Sequence, residues 1–210
     1  MHKQQSKEWF KQRVGLITGS KVGGILGLNP YATPDDVMRD MVREYHGAER
    51  EFTGNIATEY GNDNEATAIF SFEAENNLTV DETGFHAHEN GWLGASPDGL
   101  VGDNEVIEVK CPYGKRYAQS QSEFKSIGEQ MHYYGQMQIE MYCTNTSKCH
   151  FYQWAENASS YEIIPRDEEW LEENLPKLKA FHDAYIQIIN DEKASKPHLE
   201  DKEVDKSPGS

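Results

Sequence analysis

A short stretch near the middle of the chain constrains its fold more than any other part of the sequence. The run Glu105–Cys111 alternates in the way of a β-strand, so Glu108 and Lys110 share one face while Ile107 and Val109 point to the other. The two apolar residues predict that this strand lies against a hydrophobic core. A carboxylate and an ammonium are then held side by side on the opposite face, about 7 Å apart along the backbone.

A second acidic residue precedes this strand and is predicted to fold back onto it. Asp98 lies in Ser96-Pro97-Asp98-Gly99, and Gly102-Asp103-Asn104 is typical of a hairpin turn. An antiparallel return brings Asp98 beside Glu108. Adjacent carboxylates repel each other, and a divalent cation that prefers oxygen ligands relieves that repulsion. The pattern predicts a Mg²⁺ site for phosphodiester chemistry, in which Lys110 orients or deprotonates the attacking water.

These residues alone leave two interpretations open. A Glu-x-Lys pair on a strand is also typical of a solvated ion pair, and only the Pro-Asp upstream and the turn between them favour a metal site. The main-chain carbonyl of Val109 is available as a further ligand.

The rest of the sequence predicts an α/β fold with a central mixed β-sheet flanked by helices. We expect two short helices within 8–28 and longer helices over 34–46, 54–76 and 126–143, with a last helix capped by Asp167. Strand patterns cover 83–88, 91–95, 148–154 and 160–164. Residues 1–190 are predicted to form one domain, and the polar segment 191–210 to form a disordered tail.

The overall composition excludes some classes of protein. Hydrophobic residues make up 37% and aromatic residues 11% of the chain, which is typical of a folded globular protein. No apolar run approaches the ~20 residues of a membrane span. Three cysteines without a C-x-x-C pair favour reduced thiols in the cytoplasm. The net charge of −16 argues against simple nucleic-acid binding, but the cations concentrate near the N-terminus and between Lys110 and Lys125.

Pro97-Asp98 followed by Glu108-x-Lys110 resembles the signature of the PD-(D/E)XK nuclease superfamily. The wider pattern SPDGL…IEVKCP is similar to that of the lambda exonuclease and YqaJ-type phage recombinase family. Three further motifs of that family match in the same order: Glu8–Ser20, Tyr60-Gly61 with Glu65, and Gly135–Gln138. The family's tryptophan–glycine pair is here Tyr60-Gly61.

The resemblance implies a restriction-endonuclease-like core and a specific activity. It implies a processive 5′-to-3′ exonuclease that digests one strand of linear duplex DNA to mononucleotides and leaves a 3′ single-stranded overhang. Two Mg²⁺ ions are expected as cofactors, with Mn²⁺ as a substitute. The expected partners are DNA ends with a 5′ phosphate, a single-strand annealing protein for recombination, and two further copies in a homotrimeric ring. A phage or prophage origin, the host cytoplasm and no membrane contact are also implied.

The resemblance also implies roles for individual residues. Asp98 and Glu108 match metal ligands, Val109 matches the ligand carbonyl, Lys110 matches the catalytic lysine, and Glu65 matches a helix glutamate that reaches a metal or its water.

Four more residues match a pocket for the terminal 5′ phosphate: Arg13, Ser20, Ser96 and Gln136. An arginine fork suits phosphate, and Ser20 is predicted near a helix N-terminus, where free N–H groups favour anions. Tyr133 and Gln138 are weaker candidates for supporting contacts or DNA contacts.

Two rival functions use the same residues differently. A structure-specific or restriction-type endonuclease would keep the metal site, but it has no need of a pocket for a strand end. A non-enzymatic DNA-end or recombination scaffold would need neither Asp98, Glu108 nor Lys110. The residues that match the phosphate pocket favour the exonuclease.

Overall fold

The computed structural model describes residues 4–48 and 55–195. Within these ranges the helices and strands are α1 (Lys7–Arg13), β1 (Ile17–Thr18), α2 (Gly19–Ile25), α3 (Pro34–Tyr45), α4 (Ile56–Asn76), β2 (Val80–Asp81), β3 (His86–Ala87), β4 (Leu93–Ala95), β5 (Gly99–Val101), β6 (Glu105–Lys110), α5 (Met131–Thr144), β7 (Lys148–Ala155), β8 (Ala158–Pro165) and α6 (Glu168–Ser195). None of these helices is both long enough and apolar enough to cross a membrane.

The strand that carries the central motif, β6, is the middle strand of a five-stranded sheet. The strand order is β2-β5-β6-β7-β8, and β6 pairs antiparallel with β5 and parallel with β7. The crossover between the parallel strands contains α5, as this connection requires. Ile107 and Val109 pack in one cluster with Phe72 of α4, and Val106 packs in another with Met137 of α5. The predicted mixed sheet between helices and the predicted faces of β6 are confirmed.

A smaller sheet brings the N-terminal segment to the centre of the molecule. Its order is β1-β4-β3, with Ile17 paired to Leu93 in a parallel register. Strand β4 ends at Ala95 and β5 begins at Gly99, so Ser96–Asp98 connects the small sheet to the large one. Residues close together on this connection can therefore place their side chains in two different regions, one beside the small sheet and one beside the large sheet.

Polar side chains fix the ends of several helices. Thr33 and Asp36 form a reciprocal capping box at the start of α3, and Asn55 accepts a hydrogen bond from the backbone at the start of α4. Asp167 Oδ1 accepts from the backbone N–H of Trp170 at 2.9 Å, which caps α6. The helices predicted over 34–46 and 54–76 and from Asp167 are confirmed, although residue 54 lies outside the described residues.

Several predicted boundaries are wrong. Residues Ile127–Glu129 form a 3-10 turn, and α5 begins only at Met131. The segment 83–88 contains only the two-residue strand β3, and the strands β1, β2 and β5 were not predicted from the sequence. Helix α6 continues through Asp191 to Ser195, so the predicted tail cannot begin at Asp191. Residues 196–210 lie outside the described residues, and the disorder predicted there stays a prediction.

Candidate active site

Glu108 lies in the middle of β6 with only 2% of its surface exposed. Its Oε1 accepts two hydrogen bonds, one from Lys110 Nζ at 2.5 Å and one from Gln136 Nε2 at 2.8 Å. Its Oε2 is also buried but has no hydrogen-bond partner in the described part of the chain. One oxygen of this carboxylate is therefore held in place, and the other is available to a cation.

Asp98 reaches the same place from the connection between the two sheets. Its backbone N–H donates to the carbonyl of Ile107 at 3.1 Å, and its Oδ2 accepts from the N–H of Val109 at 2.7 Å. Burial, followed by the charges of Glu108 and Glu65, raises the pKa of Asp98 well above its usual range, although Lys110 and the Val109 amide oppose the rise. The predicted hairpin return has brought the two carboxylates together.

Glu65 is delivered by α4, on the side of the sheet opposite to α5. Burial and then the charge of Glu108 raise the pKa of Glu65, and Lys110 lowers it. Glu65 on α4 therefore interacts electrostatically with the residues at the sheet. We call Glu65, Asp98, Glu108 and Lys110 the acidic site.

Lys110 is the cation of the acidic site. Burial disfavours its charged form, but the nearby carboxylates, chiefly Glu108, raise its pKa above the ordinary value overall. Its Nζ also lies 4.6 Å from the centroid of the Tyr133 ring, a cation–π contact. Tyr133 therefore contacts Lys110, and the alternative role predicted for it, a contact with DNA, stays a prediction.

The acidic site suits a small oxygen-liganded cation. Among residues 4–48 and 55–195, no three His, Cys, Asp or Glu side chains form a complete ligand cluster. Mg²⁺ needs fewer protein ligands than that, because water and substrate phosphate complete its coordination. The partnerless Glu108 Oε2 and the mutual repulsion of the acids fit such an ion. The side chain of Val109 packs in the cluster that contains Phe72, so Val109 can contribute only main-chain groups to the acidic site.

Arg13, at the end of α1, is surrounded by hydroxyl groups. Its Nη1 donates to Ser96 Oγ at 3.2 Å, and its Nη2 donates to Thr18 Oγ1 at 3.3 Å and Ser20 Oγ at 3.5 Å. The guanidinium lies 4.0 Å from the centroid of the Trp9 ring, whose Nε1 also donates to Ser96 Oγ. We call Arg13, Thr18, Ser20 and Ser96 the arginine–hydroxyl cluster. A cation beside hydroxyl groups that can turn to donate is suited to bind an anion.

Gln136 lies between the acidic site and the arginine–hydroxyl cluster, but its side chain is hydrogen-bonded to two glutamates. Its Nε2 donates to Glu108 Oε1 at 2.8 Å and to Glu140 Oε1 at 2.9 Å, which uses both amide protons. The side chain packs beneath Gly19, since a Cβ built on Gly19 would lie 3.4 Å from Gln136 Cγ. Three of the four residues predicted for the phosphate pocket are together, whereas Gln136 supports Glu108.

Gln138 has a structural role, and the prediction of a DNA contact is wrong for it. Its side chain is fully buried, its Nε2 donates to the carbonyl of Pro165, and its Oε1 accepts from the N–H of Asp167. The amide therefore ties α5 to the junction between β8 and α6. Residues two apart on a helix point in nearly opposite directions, so Gln136 and Gln138 cannot face the same site.

Three residues at these sites were not predicted as site residues from the sequence. Thr18 and Trp9 complete the surroundings of Arg13. Glu140 is only 1% exposed and contacts Gln136. Its spacing of four residues from Gln136 on a mostly apolar helix was the available signal, because i and i+4 share a face.

The chain is similar to known proteins in sequence and in fold. The model of the YqaJ-like viral recombinase domain matches residues 8–147. A crystal structure of LHK-Exo in complex with dAMP is 28% identical, with a TM-score of 0.80, and the match covers 92% of this chain and all of that one. A second structure of LHK-Exo, an alkaline exonuclease from Laribacter hongkongensis, gives a TM-score of 0.76 over 90% of this chain and 99% of the other.

Two more distant matches add less. A phage-related exonuclease from Haemophilus somnus shares the fold with a TM-score of 0.66, but its sequence is only 19% identical. The uncharacterized protein R354 of Acanthamoeba polyphaga mimivirus is 26% identical over 162 residues, which is 71% of this chain. The matched region spans only 29% of that relative's length.

Proposed function

This chain belongs to the YqaJ-like viral recombinase domain family, and on that premise we propose that it is a DNA exonuclease acting from 5′ ends. It is a hydrolase of phosphodiester bonds. The observation that carries the proposal is the connection Ser96–Asp98, because Ser96 joins the arginine–hydroxyl cluster while Asp98 joins the acidic site. When the 5′ end of a DNA strand is bound at the arginine–hydroxyl cluster, the neighbouring phosphodiester lies at the acidic site.

The acidic site is the place of bond cleavage. Asp98, Glu108 and the Val109 carbonyl would hold Mg²⁺, and Glu65 would reach a metal or its water. Two Mg²⁺ ions, replaceable by Mn²⁺, would supply activation of the attacking water and stabilisation of the leaving oxygen. Lys110 contributes its ammonium, which orients the water and offsets negative charge that develops on the phosphoryl oxygens.

The arginine–hydroxyl cluster sets the direction of digestion. Arg13 supplies the charge for a terminal 5′ phosphate, and Ser20 and Ser96 supply hydroxyl donors. Mononucleotides are the products and a 3′ overhang remains. The structurally similar LHK-Exo was solved in complex with dAMP, a mononucleotide, which supports this part of the proposal.

The biological setting is part of the same proposal. The enzyme is processive, assembles as a homotrimeric ring around DNA and works with a single-strand annealing protein in phage-type recombination. It acts in the cytoplasm of a bacterial host and derives from a phage or prophage. With a net charge of −16, such a ring places its few cations along the channel and its acids outside.

One assay tests the proposal. Linear duplexes with and without a 5′ phosphate, and a closed circle of the same sequence, are incubated with Mg²⁺. We expect mononucleotides from the phosphorylated linear DNA and an intact circle. Cutting of the circle would identify an endonuclease, and no hydrolysis of any substrate would support a scaffold instead.

A further inference from the structure

Glu140 is a buried carboxylate that the cleavage chemistry described above does not use. It lies on α5, only 1% exposed, between the buried apolar residues Ile139 and Met141. Its Oε2 has no hydrogen-bond partner in the described part of the chain. Burying such a group is costly unless its hydrogen bonds compensate, so its contacts indicate what it does.

The one side-chain hydrogen bond of Glu140 in the described residues is made to Gln136. Glu140 Oε1 accepts from Gln136 Nε2 at 2.9 Å, and the same nitrogen donates to Glu108 Oε1 at 2.8 Å. A carboxamide can face its neighbours with either its nitrogen or its oxygen. Because Glu140 Oε1 can accept, it holds the nitrogen of the Gln136 amide, and not its oxygen, on the side of Glu140. The nitrogen then also faces Glu108.

Helix α2 covers this pair of side chains. A Cβ built on its first residue, Gly19, would lie at ordinary van der Waals distance from both stems, 3.4 Å from Gln136 Cγ and 3.5 Å from Glu140 Cγ. The hydrogen bond to Glu140 restricts rotation of the Gln136 amide about its last bond.

Glu108 shows the consequence of this arrangement. Its Oε1 is held by Lys110 and Gln136, while its Oε2 is buried and has no hydrogen-bond partner among residues 4–48 and 55–195. Losing the Gln136 bond would allow the carboxylate to rotate about its own last bond and would change the oxygen that it presents.

We propose that Glu140 is a positioning residue for metal binding, because it orients the Gln136 amide that holds Glu108 with Oε2 directed to the cation. This inference rests on the proposed function, since it assumes that Glu108 is a metal ligand. Groups that orient metal ligands commonly change metal affinity about 10- to 100-fold when they are removed.

The test measures Mn²⁺ binding to the full chain by calorimetry in the absence of DNA, so that it does not depend on turnover. Glu140→Ala should weaken Mn²⁺ binding about 10- to 100-fold. Glu140→Gln keeps an acceptor oxygen at the same place and should stay within about threefold of the unmodified chain. Gln136→Leu should match Glu140→Ala, and the double variant should be no weaker than either, because both remove the same restraint.

Two further variants separate positioning from folding and from charge. Met141→Ala removes a buried side chain of the same helix that belongs to the cluster beneath the sheet, and it should lower the melting temperature without weakening Mn²⁺ binding. Glu140→Asp keeps the charge but withdraws the acceptor by one carbon, and it should bind Mn²⁺ as weakly as Glu140→Ala. If Glu140→Ala does not fold, the aspartate and glutamine variants carry the test.

Each result has one meaning. If the unmodified chain binds no Mn²⁺, the metal site of the proposed function is wrong. If it binds Mn²⁺ and Glu140→Ala binds equally well, Glu140 does not position Glu108. Glutamine as weak as alanine would show that charge rather than the hydrogen bond matters, and that result would also overturn the inference.

Discussion

The acidic site and the arginine–hydroxyl cluster are neighbours along the chain but are stabilised in opposite ways. In the acidic site, Glu108 is almost fully buried, burial and then its charge raise the pKa of Asp98 and of Glu65, and Lys110 is the positive charge bonded to it. In the cluster, the Arg13 guanidinium donates to neutral hydroxyls and lies over an aromatic ring. The acidic site is therefore destabilised by charge repulsion unless a cation binds. In the arginine–hydroxyl cluster the polar groups are already hydrogen-bonded to one another.

This difference separates chemistry from recognition. A group that is crowded with like charges gains most from a bound cation, whereas a cation among rotatable hydroxyls can exchange its partners for a phosphate at little cost. Variants of the two regions should consequently change different measured quantities.

Lys110→Ala should have the largest effect. Removing the ammonium beside the reacting phosphate should lower the single-turnover rate about 10²- to 10⁴-fold, while Mg²⁺ and DNA still bind. The rate is measured with phosphorylated linear duplex, and Mg²⁺ binding by the shift in melting temperature. Lys148→Ala, which removes a half-exposed lysine paired with Glu105 on the neighbouring strand, is the matched control and should keep the normal rate. A near-normal rate for Lys110→Ala would remove Lys110 from the catalytic step.

Arg13→Ala should change recognition without changing the metal. Charge-assisted hydrogen bonds contribute about 1.5–3 kcal/mol, so the preference for phosphorylated over unphosphorylated 5′ ends should fall about 10- to 100-fold. The preference is the ratio of kcat/KM for the two substrates. Arg39→Ala, at an exposed arginine that pairs only weakly with Asp36, should leave this ratio unchanged. An unaltered ratio for Arg13→Ala would exclude it from the pocket.

Asp98→Asn should show directly how much the neighbouring carboxylates destabilise the chain by repelling one another. Asparagine keeps an oxygen for the Val109 N–H but removes one negative charge beside Glu108 and Glu65. In EDTA the variant should be more stable by about 1 kcal/mol, seen as a melting temperature about 2–4 °C higher. With Mg²⁺ the order should reverse, because only the unmodified chain gains stability from the ion. A lower melting temperature in EDTA would mean that the carboxylates do not repel each other as described.

Asp98, Glu108 and Lys110 were predictable from the residues themselves because their geometry is local, whereas Glu65 comes from α4 and was expected only from the family resemblance. Strand alternation places Glu108 and Lys110 on one face, and a short turn returns Asp98 to their side. The small sheet was not predictable in this way, since strands as short as β1 and β3 carry no periodicity and exist only through pairings such as Ile17 with Leu93.

The roles within the motif Gln136-Met137-Gln138 could have been separated by helix geometry alone. Residues two apart lie on opposite sides of a helix, so one glutamine had to face away from the site. Glu140 is a harder case, because a helical glutamate is ordinarily exposed, and it is the tertiary packing around α5, in which α2 takes part, that buries it.

Ser96→Ala should have the smallest of these effects and tests how far the two regions are independent. The hydroxyl of Ser96 accepts from both Arg13 and Trp9, so its loss removes contacts that position the guanidinium but leaves the charge in place, which we expect to cost about 1 kcal/mol. We expect the preference for a 5′ phosphate to fall about fivefold, since 1 kcal/mol corresponds to that factor. The Mg²⁺ concentration at half-maximal rate should stay constant, because Asp98 keeps its own bonds to β6. A parallel rise in that concentration would show that the connection transmits a change from one region to the other.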